Sequence, residues 1–109
     1  MIHFLIWFLV AFFVVGTLTN GIGPKKIRES YAKWGYPSWF RYVTSALEFA
    51  VAVLLIFPET RLFGAGLGMM IMLAAAATLL RAKEYAHLAG PVVIFILTAI
   101  VFWDAGLAS

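Results

Sequence analysis

The chain has 109 residues, of which 64% are apolar and 12% are charged, whereas an ordinary soluble domain carries about a quarter charged residues. This composition indicates an all-α integral membrane protein and excludes a soluble catalytic domain, because apolar runs occupy most of the chain. The absence of cysteine excludes disulfides and thiolate chemistry. The formal net charge is +3, and the basic residues of a membrane protein usually set its orientation in the bilayer. We therefore expect no nucleic-acid partner.

Four apolar runs predict an up-down bundle of four transmembrane helices, at residues 2–19, 40–57, 63–80 and 88–104. A helix of about 18 residues reaches roughly 27 Å, close to the thickness of the hydrocarbon core of a bilayer. The first run has neither a basic leader nor a small-residue cleavage site, which favours a retained helix over a signal peptide. We therefore expect a single transmembrane domain over residues 1–109.

The segment between the first and second runs predicts a short amphipathic helix at residues 24–34, lying on the membrane surface. Ile27, Tyr31 and Trp34 recur at helical spacing and form its apolar face. We expect six residues of this region to contact lipid head groups: Lys25, Lys26, Arg28, Lys33, Trp34 and Trp39.

The basic residues predict the orientation of the chain in the membrane. Seven of the eight Lys and Arg residues border the first and third connections, and Arg61 alone borders the second. Basic residues collect on the cytoplasmic side, so both termini are expected on the non-cytoplasmic side. We expect the membrane to be the cytoplasmic membrane of a bacterium.

Glu48 falls near the middle of the second run, where inserting a carboxylate costs on the order of 3 kcal/mol. Arg41, Thr44 and Ser45 precede it at helical spacing and share its face. The face predicts either a functional polar site or a structural contact, in which a protonated Glu48 bonds a threonine or a carbonyl. Intramembrane ionisable residues usually mark function, so we expect a polar site in the cytoplasmic half of the bundle. Its six candidate members are Glu48, Arg41, Thr44, Ser45, Thr78 and His87.

The sequence predicts no metal or haem site in this chain alone. His3 and His87 fall at opposite ends of the predicted bundle, so they cannot ligate one haem iron. The methionines of the third run have no histidine or cysteine beside them, which favours packing over metal binding. Gly64 and Gly68 have GxxxG spacing, which predicts a close approach between helices.

About residues 20 to 95 resemble the DoxX-like family of small four-helix membrane proteins. The resemblance rests on the order and spacing of Lys26-Ile27, Gly35-Tyr36-Pro37-x-Trp39-Phe40-Arg41-Tyr42, Glu48, Pro58-x-x-Arg61-x-x-Gly64-Ala65, Ala77-Thr78, His87 and Pro91. The chain departs from the family at Leu79, where members often carry a histidine. The family takes its name from a subunit of a thiosulfate:quinone oxidoreductase.

The resemblance implies a subunit or assembly partner of membrane redox machinery that has no catalytic activity of its own. A quinone or another lipophilic molecule would bind near Glu48. The expected partners are the lipid bilayer and either a membrane or peripheral protein or a second copy of this chain. The alternative is a small proton-coupled transporter similar to the small multidrug resistance proteins, which also have four helices and one intramembrane glutamate. That family's glutamate lies in the first helix, and its antiparallel dimers need a weak orientation bias, so we favour the redox assignment.

Overall fold

The computed structural model describes residues 2–108, and it is helical over most of that range, as the composition predicts. The helices are α1 (Ile2–Ile22), α2 (Lys25–Lys33), α3 (Phe40–Ile56), α4 (Arg61–Arg81) and α5 (Ala89–Ala108), with a single turn of 3₁₀ helix at Tyr85–His87 before α5. Three segments in the described range are long and apolar enough to cross a membrane: Ile2–Ile22, Arg61–Arg81 and Tyr85–Leu107. The expectation of an all-helical membrane protein is confirmed at this level.

The four long helices pack in a closed order around one core. Helix α1 packs against α3, α3 against α4, and α4 against α5, which returns to α1. Phe13, Val51, Leu55 and Val101 are fully buried where these helices meet. Many of the largest apolar side chains lie on the outside instead, and Phe4 is 82% exposed. An exterior of this kind is typical of a protein whose surroundings are lipid rather than water.

Two glycines allow close contact between α4 and its neighbours. A Cβ atom at Gly64 would lie 2.8 Å from the Cβ atom of Leu54 and 3.0 Å from the backbone nitrogen of Leu55. A Cβ atom at Gly68 would lie 3.2 Å from the ring of Phe13. Backbone atoms cannot turn aside as a side chain can, so any side chain at Gly64 would push α3 and α4 apart.

Two arginines cap the helix that packs beside their own. Arg41, near the start of α3, donates from Nη1 to the carbonyl oxygens of Asn20 (2.9 Å) and Gly21 (3.0 Å) at the end of α1. Arg61, at the start of α4, donates from Nε to the carbonyl oxygen of Leu55 (2.9 Å) in the last turn of α3. The last carbonyls of a helix lack partners within it and form the negative end of its dipole, so a cation satisfies both needs.

Candidate functional site

The carboxyl group of Glu48 is enclosed where α3 crosses α1. Glu48 is 6% exposed, and its Oε1 atom accepts a hydrogen bond of 2.9 Å from Nδ2 of Asn20. Gly16, one turn before Asn20 on α1, leaves the space that the carboxyl group occupies, because a Cβ atom there would overlap Oε2. The acid thus packs against Gly16 and accepts a hydrogen bond from the amide of Asn20.

A line of hydrogen bonds joins Glu48 to the short helix α2. The hydroxyl of Tyr31 donates to Oδ1 of Asn20 at 2.7 Å, and the amide of Asn20 donates to Glu48. Burial raises the pKa of the Tyr31 hydroxyl, and Thr44 lies close enough to oppose that rise. Tyr31 therefore remains a protonated donor at neutral pH. We call Tyr31, Asn20 and Glu48 the polar line.

Arg41 does not form an ion pair with Glu48. The ion pairs found within residues 2–108 are Lys25–Glu29 (3.9 Å) and Lys33–Glu84 (3.3 Å). Arg41 instead caps α1, donates from Nη2 to the hydroxyl of Tyr42 at 2.6 Å, and lies over the Tyr42 ring. Its reach along α3 would allow contact with Glu48, but the free carbonyls of α1 are nearer acceptors.

The two hydroxyl groups of the predicted face bond different helices. Ser45 donates to the carbonyl oxygen of Thr17 on α1 at 2.7 Å, so it adds a polar link between α1 and α3 to those of Arg41 and Glu48. Thr44 donates to the carbonyl oxygen of Phe40 in its own helix at 3.3 Å. The face of α3 that carries Ser45 and Glu48 is therefore the face that contacts α1.

Thr78 and His87 form no hydrogen bond with Glu48 within residues 2–108. The hydroxyls of Thr78 and Tyr36 are hydrogen-bonded at 2.5 Å, and Thr78 also donates to the carbonyl oxygen of Ala74. His87 is exposed in the 3₁₀ turn before α5. Neither residue is hydrogen-bonded to the polar line in that range, but the ring of Tyr36, the partner of Thr78, lies 6.2 Å from the ring of Tyr31.

A second cluster joins the end of α2 to the connection between α4 and α5. The indole nitrogen of Trp34 donates to Oε2 of Glu84 at 2.5 Å, and Lys33 donates to Oε1 at 3.3 Å. Arg81 donates to the carbonyl oxygen of Trp34 at 3.1 Å and lies over the ring of Tyr36. The indole hydrogen bond holds the pKa of Glu84 below its usual range. We call Lys33, Trp34, Arg81 and Glu84 the α2 clasp.

A cleft of about 280 Å³ opens between α2 and the start of α3. Its lining residues are Arg28, Tyr31, Ala32, Tyr36, Ser38, Trp39, Arg41 and Tyr42. Both arginines flank Gly23: Arg28 donates from Nε to its carbonyl oxygen at 3.0 Å, and a Cβ atom at Gly23 would overlap the Arg41 guanidinium. Gly23 also has a φ of +65°, which favours glycine. The cleft therefore places two cations among aromatic rings.

The residues predicted to contact head groups have three different surroundings. Lys25 and Lys26 are exposed at its start, and Trp39 is exposed beside the cleft that it lines. Arg28 lines the same cleft, whereas Lys33 and Trp34 belong to the α2 clasp.

Sequence analysis did not identify the residues of α1 that contact Glu48. Asn20 follows directly after the apolar run assigned to residues 2–19, although α1 continues to Ile22. An amide four residues after Gly16 was the available signal, because that spacing places a polar group and a gap on one helix face. The helical spacing assigns Tyr31 to the apolar face of α2 but does not show that its hydroxyl donates a hydrogen bond to Asn20.

Three apolar helices, an exterior of exposed apolar side chains and a buried polar line define a small helical membrane protein. The sequence model of the DoxX-like family matches residues 4–101, and the chain belongs to this family. The resemblance seen in the sequence is therefore confirmed. No curated protein and no solved structure matches the chain.

Proposed function

We propose that this protein is a membrane subunit or assembly partner of redox machinery, without catalytic activity of its own, and that it holds a lipophilic molecule in the cleft beside the polar line. The cleft carries this proposal, because its aromatic walls suit an apolar ring and its hydroxyl and guanidinium groups suit a polar head. The association with redox machinery rests on the family resemblance. A quinone is one candidate, since its ring can stack on Trp39 and its carbonyl oxygens can accept hydrogen bonds.

The ligand would contact the polar line through Tyr31 rather than through Glu48 directly. Tyr31 lines the cleft, whereas Glu48 is covered by Gly16 and Asn20. A molecule in the cleft that accepts a hydrogen bond from Tyr31 would compete with Asn20 for the same proton. The enclosure of Glu48 also favours this proposal over a proton-coupled transporter, in which a substrate must reach the carboxylate.

For the membrane arrangement, we propose four spanning helices with α2 on the cytoplasmic surface and both termini on the other side of a bacterial cytoplasmic membrane. Helix α3, the fourth span, has 17 residues and extends about 25 Å, and it lies between α1 and α4. The longest dimension of the protein is 41 Å, which suits a bilayer of about 40–45 Å including head groups. The exposed Lys25 and Lys26 would lie among those head groups.

Quenching of tryptophan fluorescence tests the quinone candidate. Trp39 lines the cleft, so decylubiquinone added to the protein in a non-ionic detergent should quench its indole with a saturable dependence on concentration. Trp39→Phe should remove most of the saturable part, and Trp34, whose ring lies 5.4 Å from that of Tyr31, should report the rest. Trp103→Phe is the matched control, because Trp103 is exposed on α5 and would report only quinone dissolved in the micelle. Quenching that is linear in quinone and equal in both variants would contradict quinone binding in the cleft.

Purification in mild detergent tests the redox assignment. Mass spectrometry of the co-purifying proteins and lipids should identify subunits of a membrane oxidoreductase together with a lipophilic molecule. A preparation that contains the lipophile but no oxidoreductase subunit, and that moves protons across proteoliposomes in exchange for a cationic substrate, would support the transporter instead.

A further inference from the structure

We propose that the cleft selects a lipid with an anionic phosphate head group, held between the guanidinium groups of Arg28 and Arg41. This inference rests on the proposed role of the cleft as a ligand site. The inference restricts the expected ligand of the cleft from lipophilic molecules in general to lipids with an anionic head group.

The cleft carries positive charge without a neutralising acid. Arg28 and Arg41 both line it, and its lining contains no Asp or Glu. Neither arginine forms an ion pair within residues 2–108. The nearest acid along α2, Glu29, pairs with Lys25, and Glu48 lies behind Asn20. Two cations that line the same cleft both attract an anion that binds there, and their Coulomb attractions add.

Both guanidinium groups retain hydrogen-bond donors that can reach a ligand. A guanidinium group has five N–H donors. Arg28 uses Nε for the carbonyl oxygen of Gly23, and neither of its terminal nitrogens has a partner in the described part of the chain. Arg41 uses Nη1 and one hydrogen of Nη2, which leaves Nε and the second Nη2 hydrogen. The planar fork of arginine matches phosphate oxygens in pairs, so these donors suit a phosphate better than a neutral carbonyl.

The two arginines are held in place before any ligand binds. Arg28 is tied to Gly23, and Arg41 is tied to the end of α1 and to Tyr42. A ligand therefore meets side chains whose rotational freedom has already been reduced, which lowers the entropy cost of binding.

The edge of the cleft favours a lipid over a soluble phosphate. Trp39 and Tyr42 line the cleft and are both more than half exposed, so their rings extend outwards from it. Tryptophan and tyrosine of this kind usually lie at the level of lipid head groups. A lipid phosphate at the arginines would place its glycerol and acyl chains against these two rings, whereas inorganic phosphate would leave them unused.

Lipid binding by the purified full-length protein tests the inference. In a non-ionic detergent, native mass spectrometry should show phosphatidylglycerol binding about tenfold more tightly than phosphatidylcholine with the same acyl chains, a difference of ~1.4 kcal/mol. Arg28→Gln should reduce that preference to about unity. The control is Lys26→Gln, which removes the same charge from an exposed position on the same helix and should leave most of the preference. Arg28 is chosen because its side chain makes a single hydrogen bond within residues 2–108, whereas Arg41 also caps α1.

Three results would overturn the inference. The first is equal binding of the two lipids, and the second is an equal loss of preference in Arg28→Gln and Lys26→Gln. The third is saturable binding of inorganic phosphate as tight as that of phosphatidylglycerol, which would assign the cleft to a soluble anion. Failure of the inference can be distinguished from failure of the proposed function, because a cleft that binds decylubiquinone without preferring phosphatidylglycerol would support the function and refute the anionic head group.

Discussion

Replacing Asn20 by leucine is the most direct test of the polar line. Asn20 gives its amide hydrogen to Glu48 at 2.9 Å and accepts the Tyr31 hydroxyl hydrogen at 2.7 Å. Leucine has a similar size but can do neither. The substitution therefore removes these two hydrogen bonds, together with the bond of 3.0 Å from the Asn20 amide to the carbonyl oxygen of Gly16 within α1, while preserving most of the packing between α1 and α3.

The expected loss of stability is about 2 kcal/mol. A buried polar group that loses its partner costs ~1–3 kcal/mol, and Glu48 is too enclosed by Gly16 to find another partner without moving. Tyr31 can turn its hydroxyl toward the cleft, so its share should be smaller, about 0.5 kcal/mol. Most of the effect should thus come from the glutamate.

Reversible unfolding in detergent, followed by circular dichroism, measures this difference. Thr19→Val is the matched control, because the Thr19 hydroxyl bonds only the carbonyl oxygen of Val15 in the same helix, and its loss should cost less than about 0.5 kcal/mol. Glu48→Gln should also change stability little, since its amide oxygen can still accept from Asn20. If Asn20→Leu were no less stable than the Thr19 control, the polar line would contribute nothing to the fold.

Three further predictions follow from the same geometry. Gly16→Ala should destabilise the protein by about 1–3 kcal/mol in the same unfolding assay. Gly90→Ala is the control and should not destabilise it, because a Cβ atom at Gly90 meets nothing within 4 Å. Equal effects of the two substitutions would contradict the close contact between Gly16 and Glu48. The α2 clasp should open in acid, because the pKa of Glu84 is lowered in the folded protein. The ionised Glu84 stabilises the fold fully at pH values above the ordinary glutamate pKa. This stabilisation is lost as the pH falls through the lowered pKa. Indole fluorescence should therefore change below about pH 4 in the native protein but not in Glu84→Gln. Single cysteines at Ser30 and Glu59 should react oppositely with an impermeant maleimide on intact cells, and labelling at position 30 alone would reverse the proposed orientation.

The sequence was sufficient for features that depend on composition and on local spacing. The apolar runs predict helices because a chain in lipid must satisfy its backbone hydrogen bonds internally, and α1, α4 and α5 have the required length and hydropathy. The GxxxG spacing of Gly64 and Gly68 predicts a close approach, and both glycines lie against neighbouring helices. These features need no knowledge of which distant residues meet.

The partners of the site residues could not be predicted in the same way. Arg41 is within reach of Glu48 along α3, but reach does not decide between a carboxylate and the open carbonyls at the end of α1. That choice depends on how far α1 continues past its apolar run, and it continues to Ile22. Thr78 meets Tyr36 for a similar reason: the turn at Gly35, with a φ of +85°, directs the chain to α4 before α3 begins.

Ligand affinity in the Asn20→Leu variant would show which group of the cleft a ligand uses. A ligand that accepts the Tyr31 hydroxyl hydrogen competes with Asn20 in the native protein, so the substitution should tighten its binding severalfold. A ligand held only by Arg28 and Arg41 should bind the variant and the native protein equally, because those arginines are tied to backbone carbonyls that the substitution leaves in place. By reciprocity, only a ligand of the first kind weakens the bond between Tyr31 and Asn20, which joins α2 to α1, when it binds. Weaker binding of both kinds of ligand would show that Asn20 supports the cleft itself, and would refute a competition for the Tyr31 hydroxyl.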